Sequence, residues 1–331
     1  MLKFVFTCGD INGIGPEIVV KTLNKITLRN PSTKFFFICP SKVLDTTFSF
    51  LNPIFDYEIV NDTKNNSSHQ VTIINSGKVN TKKGFPTVSS GKTAYQALVK
   101  SFALLKAGAS DAVITAPVSK TALHMAGIKY PGQTEMFASW SRSKNYVMTF
   151  LSYKMNAALL TIHEPLRRIP NLLNSKGLKS TLNVILHTLK IDLGIINPRI
   201  GILGLNPHAG EGGMIGNEEK KVIQPMIKQF ARQFRIEGPF SPDAFFANKL
   251  YKNYDLVLGM YHDQILIPFK MINFGKGVNY TAGLPIVRTS PDHGVAYDIV
   301  DKYIADESSM IQAFKYAHRI VKNRKKRIAS G

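Results

Sequence analysis

Short apolar runs recur along this chain, each closed by a turn residue and followed by a stretch with helical spacing. LKFVFTC (2–8), KFFFIC (34–39), AVIT (112–115), AALLTI (157–162), IGILGLNP (200–207) and DLVLGMY (255–261) are the clearest. Their length and their β-branched and aromatic content read as buried strands. Helical patterns lie between them: from Pro16 to about Lys25, 91–107, a short one capped by Ser119, 178–188, 218–232 and 310–322. This alternation predicts an α/β fold, with a mainly parallel sheet and helices on its faces. A short antiparallel excursion is expected in the polar 50–80 stretch, around VTIIN.

In open α/β sheets the ligand crevice lies beyond the carboxyl ends of the strands. Three of the apolar runs end there in a histidine: His163, His208 and His262. Imidazoles delivered from separate strand ends are able to converge on one metal and leave it open positions for substrate. The competing reading is a set of unrelated polar loop residues. What favours the metal is the repeated context, since spacing alone does not decide it.

A chain of 331 residues suffices for two lobes around one cleft. No stretch approaches the roughly 18 apolar residues of a membrane span. The apolar start is interrupted at Gly9-Asp10, too early for a secretory signal. Cys8 and Cys39 fall inside predicted strands, neither with a nearby partner in the sequence, and read as reduced, buried thiols of a cytoplasmic protein. The net charge of +20 is mostly dispersed. The one dense run, KNRKKR at 322–327, reads as a solvated, frayed helix end. No zinc finger, RNA-recognition motif or basic zipper accompanies it, so no specific nucleic-acid partner is expected.

Two phosphate motifs are excluded. The glycines after the first run are Gly9, Gly13 and Gly15, which do not form the G-x-G-x-x-G opening of a dinucleotide site. Gly91-Lys92-Thr93 resembles the tail of a P-loop, but the position of its first glycine holds Pro86.

Longer phrases occur in order: GDINGIGPE (9–17), TAPVSK (115–120), PGQTE (131–135), IHEPLR (162–167), GLNPHAGEGG (204–213), GPFSPDAFF (238–246), YHDQ (261–264) and VNYTAGLPIVRTSPDHGVAYDI (278–299). Over nearly its whole length the chain resembles the 4-hydroxythreonine-4-phosphate dehydrogenase family of pyridoxal phosphate biosynthesis. The resemblance implies the two-lobed α/β/α fold of isocitrate and isopropylmalate dehydrogenases rather than a Rossmann fold. Residues 1–130 and 280–331 would form a first, NAD-binding lobe, and 131–279 a second lobe with the metal and the dimer interface. It further implies a homodimer with a shared active site and NAD-dependent oxidation and decarboxylation of 4-phosphohydroxy-L-threonine.

By the same resemblance a divalent metal (zinc, cobalt or magnesium) is held by His163, His208 and His262. Substrate contacts fall on Gln133, Thr134, Lys270, Asn279 and Arg288. The phrase holding Asp292, His293, Gly294 and Asp298 matches the loop that grips NAD. Asp243 and Asp263 lie in matched phrases beside this chemistry, as orienters of ligand histidines or as caps; Lys270 is a candidate for proton transfer. One departure stands out. The family usually has histidine where this chain has Gln133. A neutral amide there leaves a related substrate, D-threonate or D-erythronate 4-phosphate, as the alternative.

Overall fold

The computed structural model describes residues 1–61 and 68–330. Twelve strands are found among them: β1 (Leu2–Thr7), β2 (Thr33–Ile38), β3 (Tyr57–Val60), β4 (Val71–Ile74), β5 (Ala112–Thr115), β6 (Val147–Leu151), β7 (Ala157–Leu159), β8 (Arg199–Leu203), β9 (Arg235–Phe240), β10 (Leu256–Gly259), β11 (Val278–Ala282) and β12 (Val287–Pro291). The expected α/β class is present. The chain divides into two compact units, Met1–Ser141 with Ile286–Val321, and Arg142–Pro285 with Lys322–Gly331. The first break falls after Ser141 because the Gln133–Trp140 helix is held by aromatic packing. Phe137 and Trp140 pack against Phe102 of the Val88–Lys106 helix, at 6.1 and 5.6 Å between ring centroids.

In the first unit the strand order is β3-β4-β2-β1-β5-β12, and every pairing is parallel. This differs from the 3-2-1-4-5-6 order of a Rossmann fold. Successive strands leave β1 in opposite directions, β2 to one side and β5 to the other. The carboxyl ends of β1 and β5 therefore form a topological switch point, where open α/β sheets bind ligands. GDINGIG follows β1 and TAPVSK follows β5. Phe4 and Phe6 share one face of β1, and Phe314 of the Ser308–Ser330 helix packs on both, at 5.1 and 6.4 Å. Val5 points the other way and is also fully buried. A strand covered on both faces is the reason a continuous apolar run reads as parallel.

The second unit runs β11-β6-β7-β10-β8-β9. β6 pairs antiparallel with β11 and β7; β7, β10, β8 and β9 pair parallel in sequence. The antiparallel excursion is therefore here and not at 50–80, where β3 and β4 are parallel to each other and to β2. The sign was legible: all four residues of VTII are buried, as a strand inside a parallel sheet requires. β6 and β7 are joined by residues 152–156, a short turn tied by Ser152, and so short a link permits only antiparallel strands.

Two further expectations are corrected. The Val88–Lys106 helix starts before Gly91, because Thr87 and Ser90 form a reciprocal capping box. The last helix does not fray at Lys322 but continues to Ser330. Its Arg324 donates to buried Asp192 from Nε at 2.7 Å and from Nη2 at 3.2 Å. Cys8 and Cys39 are free and buried, as expected; they follow the paired residues Thr7 and Ile38, and burial, with the neighbouring Cys8 thiol contributing, pushes the Cys39 thiol well up. No helix among the described residues is long and apolar enough to cross a membrane.

Candidate functional site

In the second unit the ends of β7 and β10 are tied together. Leu160 N donates to Gly259 O at 2.9 Å, and Thr161 Oγ1 to Met260 O at 2.7 Å. This brings His163 and His262 side by side, with ring centroids 5.6 Å apart and planes inclined by 40°. His163 takes a left-handed φ of 53°, and His262 opens the His262–Asn273 helix. The Asp263 carboxylate lies 2.7 Å from His262 Nδ1. Nδ1 therefore carries the proton, and in the neutral ring Nε2 keeps its lone pair for a ligand.

His208 arrives differently. Residues 208–212 are all left-handed, with φ of 51°, 50°, 80°, 42° and 63°. Such backbone costs about 1–3 kcal/mol per non-glycine residue and persists only when its surroundings enforce it. Glu219, 2% exposed, supplies the enforcement: its carboxylate accepts from Leu205 N, Asn206 N and Asn206 Nδ2 at 2.7–2.9 Å. Gln264 links this turn to the strand before His262, accepting from Met260 N and donating to Gly204 O, both at 2.7 Å. His208 lines a cavity of about 260 Å³ with Asp243, Tyr261 and Gln264. Asp243 sits in the first turn of the Pro242–Ala247 helix. Its carboxyl is held below the usual range by the Ser241 hydroxyl at 2.5 Å, then by backbone N–H groups, with the His208 charge contributing.

These residues match a metal site in ligand type and, for one pair, in placement. Two imidazoles at 5.6 Å suit a shared ion. Among the described residues, however, no three His, Cys, Asp or Glu side chains gather closely enough to hold one. On the same unit Lys270 is exposed. Asn279, on β11, has a buried Oδ1 with no hydrogen-bond partner among the described residues, an acceptor suited to a donor from a ligand.

The first unit holds a buried guanidinium. Arg288 of β12 is 3% exposed. Its Nε and Nη2 donate to Thr115 Oγ1 at 3.2 and 2.9 Å, Nη2 also to Gln133 Oε1 at 3.0 Å, and Nη1 to Thr134 Oγ1 at 3.4 Å. Burial pulls its pKa down to about 10, opposed by the charge of Glu135. Gln133, Thr134 and Arg288, distant in sequence, thus form one cluster. Thr115, at the end of β5, completes it and was given no role by sequence reasoning, although it opens TAPVSK.

The proposed cofactor loop is seated on the segment after β1. Val295 O accepts from Ile14 N at 3.0 Å, and a Cβ on Gly13 would stand 2.6 Å from that oxygen, so only glycine allows the approach. Tyr297 Oη donates to Asp10 Oδ2 at 2.8 Å. Burial pushes the Asp10 carboxyl up, against hydrogen bonds from Asn12 N, Tyr297 and Ser90. Asp292 accepts from Ser309 Oγ at 3.2 Å, and His293 Nδ1 donates to Gly294 O at 3.1 Å while its Nε2 is buried without a partner among the described residues. Gly294 and Asp298 are exposed. Asp10 and Tyr297 escaped sequence reasoning; their pairing spans 287 residues.

A family model described as pyridoxal phosphate biosynthetic protein PdxA matches residues 32–317. The chain belongs to this family. It is 37% identical to the 4-hydroxythreonine-4-phosphate dehydrogenase of Prosthecochloris aestuarii, over 98% of both chains. The enzyme of the same name from Zymomonas mobilis is 38% identical, over 98% of this chain and 97% of its own. Among solved structures, the 4-hydroxythreonine-4-phosphate dehydrogenase of Klebsiella pneumoniae superposes with a TM-score of 0.82 at 32% identity, covering 97% of this chain and 100% of that one. A terephthalate 1,2-cis-dihydrodiol dehydrogenase from Burkholderia xenovorans shares the fold, at TM-score 0.64 and 22% identity. The family's relatives carry dehydrogenase names, which makes this PdxA family member an oxidoreductase.

Proposed function

We propose that the chain oxidises 4-phosphohydroxy-L-threonine with NAD and decarboxylates the product to 3-amino-2-oxopropyl phosphate. The observation that carries this reading is Arg288: a fully buried guanidinium set by Thr115, Gln133 and Thr134, as recognition of a phosphate or carboxylate demands. The relatives' names specify a substrate with both groups. On the second unit we assign to the substrate Asn279, whose Oδ1 is buried and without a partner among the described residues.

In this reading His163, His208 and His262 are the residues that would hold a divalent cation, His163 and His262 already side by side, and the cation would supply Lewis acidity to the substrate hydroxyl. Ligand type favours zinc or cobalt over magnesium. Asp263 holds the His262 ring in the tautomer that presents Nε2, and Asp243 stands beside His208. Lys270 lies on the same helix as His262, two turns further on, and is our candidate to take the hydroxyl proton. The loop that contains Asp292, His293, Gly294 and Asp298 would hold NAD, which would supply the hydride acceptor. The oxidised product is a β-keto acid, whose carboxylate leaves as carbon dioxide.

We further infer a homodimer with a shared site. Ile267, Met271 and Phe274 stand on one face of the helix that carries His262 and Lys270, exposed by 59%, 80% and 92%. A second copy covering this stripe would bury apolar surface beside Lys270. The deciding experiment is NADH formation by metal-loaded protein with 4-phosphohydroxy-L-threonine, D-threonate 4-phosphate and D-erythronate 4-phosphate. A tenfold or greater preference for either of the last two, about 1.4 kcal/mol, overturns the substrate assignment and leaves the reaction class standing.

A further inference from the structure

Gln133 is engaged at both ends of its amide. Oε1 accepts from Arg288 Nη2 at 3.0 Å, and Nε2 donates to Ala116 O at 3.1 Å. The orientation is forced, since a guanidinium only donates and a backbone carbonyl only accepts. Ala116 follows β5 directly, and Thr115, one residue earlier, accepts from Nε and Nη2 of the same arginine. The guanidinium is therefore fixed from two sides by neutral groups on one rigid strand end and one helix start. Glu135, two residues on in that helix, supplies the opposite charge that acts on Arg288; Lys120 lies beside the start of the helix, with its Cε 4.0 Å from where a Cβ on Gly132 would be.

We propose that Gln133 is a positioning residue rather than a charged substrate contact, and that it keeps the charge of the Arg288 pocket constant across the physiological pH range. This deepens the functional reading above and rests on it for the identity of the anion. A histidine at this position has to be neutral to do the same two jobs, accepting from Arg288 with one nitrogen and donating to Ala116 O with the other. Once protonated it has donors on both sides, and one of them faces a guanidinium. The amide never titrates. Arg288, even with its pKa drawn down to about 10 by burial, stays charged well above neutrality. The specificity consequence is an anion site whose affinity follows the ionisation of the ligand alone.

Sulfate is the suitable probe, because it remains a dianion throughout. Its affinity for the intact protein is measured by calorimetry between about pH 5.5 and 8.5, a range centred near the ordinary histidine pKa of about 6.5. The wild type is expected to vary by less than about twofold over that range. Gln133→Met, similar in size but without the acceptor, is expected to bind about threefold or more weakly at every pH. Gln133→Glu pairs with Arg288 and should weaken sulfate by about tenfold or more. Gln133→His should match the wild type at the alkaline end and depart from it by about threefold or more at the acid end, as the imidazole takes a proton. The same variants should move KM and leave kcat within about twofold. Circular dichroism confirms that each variant is folded; a misfolded one is replaced by Gln133→Asn, which keeps the amide but shortens its reach. The proposal is overturned if wild-type affinity changes fivefold or more with pH, if Gln133→His is as flat as the wild type, or if Gln133→Met binds sulfate unchanged. Sulfate binding is read without turnover, so absence of NADH formation with every substrate refutes the functional reading and leaves this one standing.

Discussion

The rings of His163 and His262 lie 5.6 Å apart although 99 residues separate them in the chain. The contact follows from the parallel pairing of β7 with β10, which brings two strand ends to one place. If these rings share an ion, His163→Ala and His262→Ala each abolish its binding and the turnover that depends on it. Asp263→Ala, which only frees the His262 ring, costs about 10–100-fold in metal affinity. Isothermal titration with zinc or cobalt checks both. Unchanged affinity in either histidine variant removes the site.

Arg324 closes a buried cluster in the second unit. It donates to Asp192 at 2.7 and 3.2 Å and to Tyr280 Oη at 3.0 Å, while Tyr280 donates to Asp192 at 2.6 Å. Asp192 and Tyr280 are fully buried, and burial pushes the Tyr280 phenol well up. Arg324→Ala leaves a buried carboxylate without its cation, at a cost of about 3–5 kcal/mol. Tyr280→Phe removes one neutral partner and costs about 1 kcal/mol. Urea unfolding of the two variants should rank them in that order.

These contacts also show where a sequence stops being informative. Strands, and the histidines at their ends, were legible because burial imposes a run of apolar residues and a turn must follow it. Gln133, Thr134 and Arg288 were found as members of phrases, yet their mutual contacts, spanning 154 and 155 residues, were not. Arg324 looked like one more cation in KNRKKR; only its distant partner Asp192 distinguishes it. The same holds for Cys8 and Cys39, whose adjacency depends on which strands pair. Glu219 gave no sign that it would hold the left-handed turn at His208, since a carboxylate that accepts backbone N–H groups looks like any surface glutamate. Local chemistry is written in the sequence, and partnership across the fold is written in the strand order.

Gly91 separates a packing role from the phosphate-binding one its Gly-Lys-Thr context suggests. A Cβ there would lie 2.0 Å from Ala122 O, the backbone of the Lys120–Met125 helix against which the Val88–Lys106 helix rests. Gly91→Ala forces the two helices apart and should cost about 1–3 kcal/mol, typical of overpacking. Lys92→Ala, exposed on the same helix, should change stability by less than about 0.5 kcal/mol and leave nucleotide binding untouched. Thermal unfolding with and without NAD distinguishes the roles; a loss of NAD stabilisation in Lys92→Ala would return the P-loop reading.

Asp10 offers a test through pH. Its carboxyl is pushed up by burial, so the folded state binds the Asp10 proton more tightly than the unfolded chain does. The sign follows from linkage: stability from this group is fully present below the unfolded pKa of about 3.9 and is lost as pH rises through the higher folded value. Asn in its place never ionises, and the hydroxyls of Tyr297 and Ser90 can turn to accept from its amide. The stability of wild type minus that of Asp10→Asn should therefore fall as pH rises from mild acid toward neutrality. A difference that stays constant, or climbs, removes the buried-carboxyl account. Tyr297→Phe provides the functional counterpart. It deletes the bond that seats the 292–299 loop on Asp10 and should raise KM for NAD by about 2–10-fold with kcat little changed, as expected for one lost hydrogen bond. Equal losses in kcat and kcat/KM would instead place Tyr297 in the transition state, in direct contact with the reacting groups.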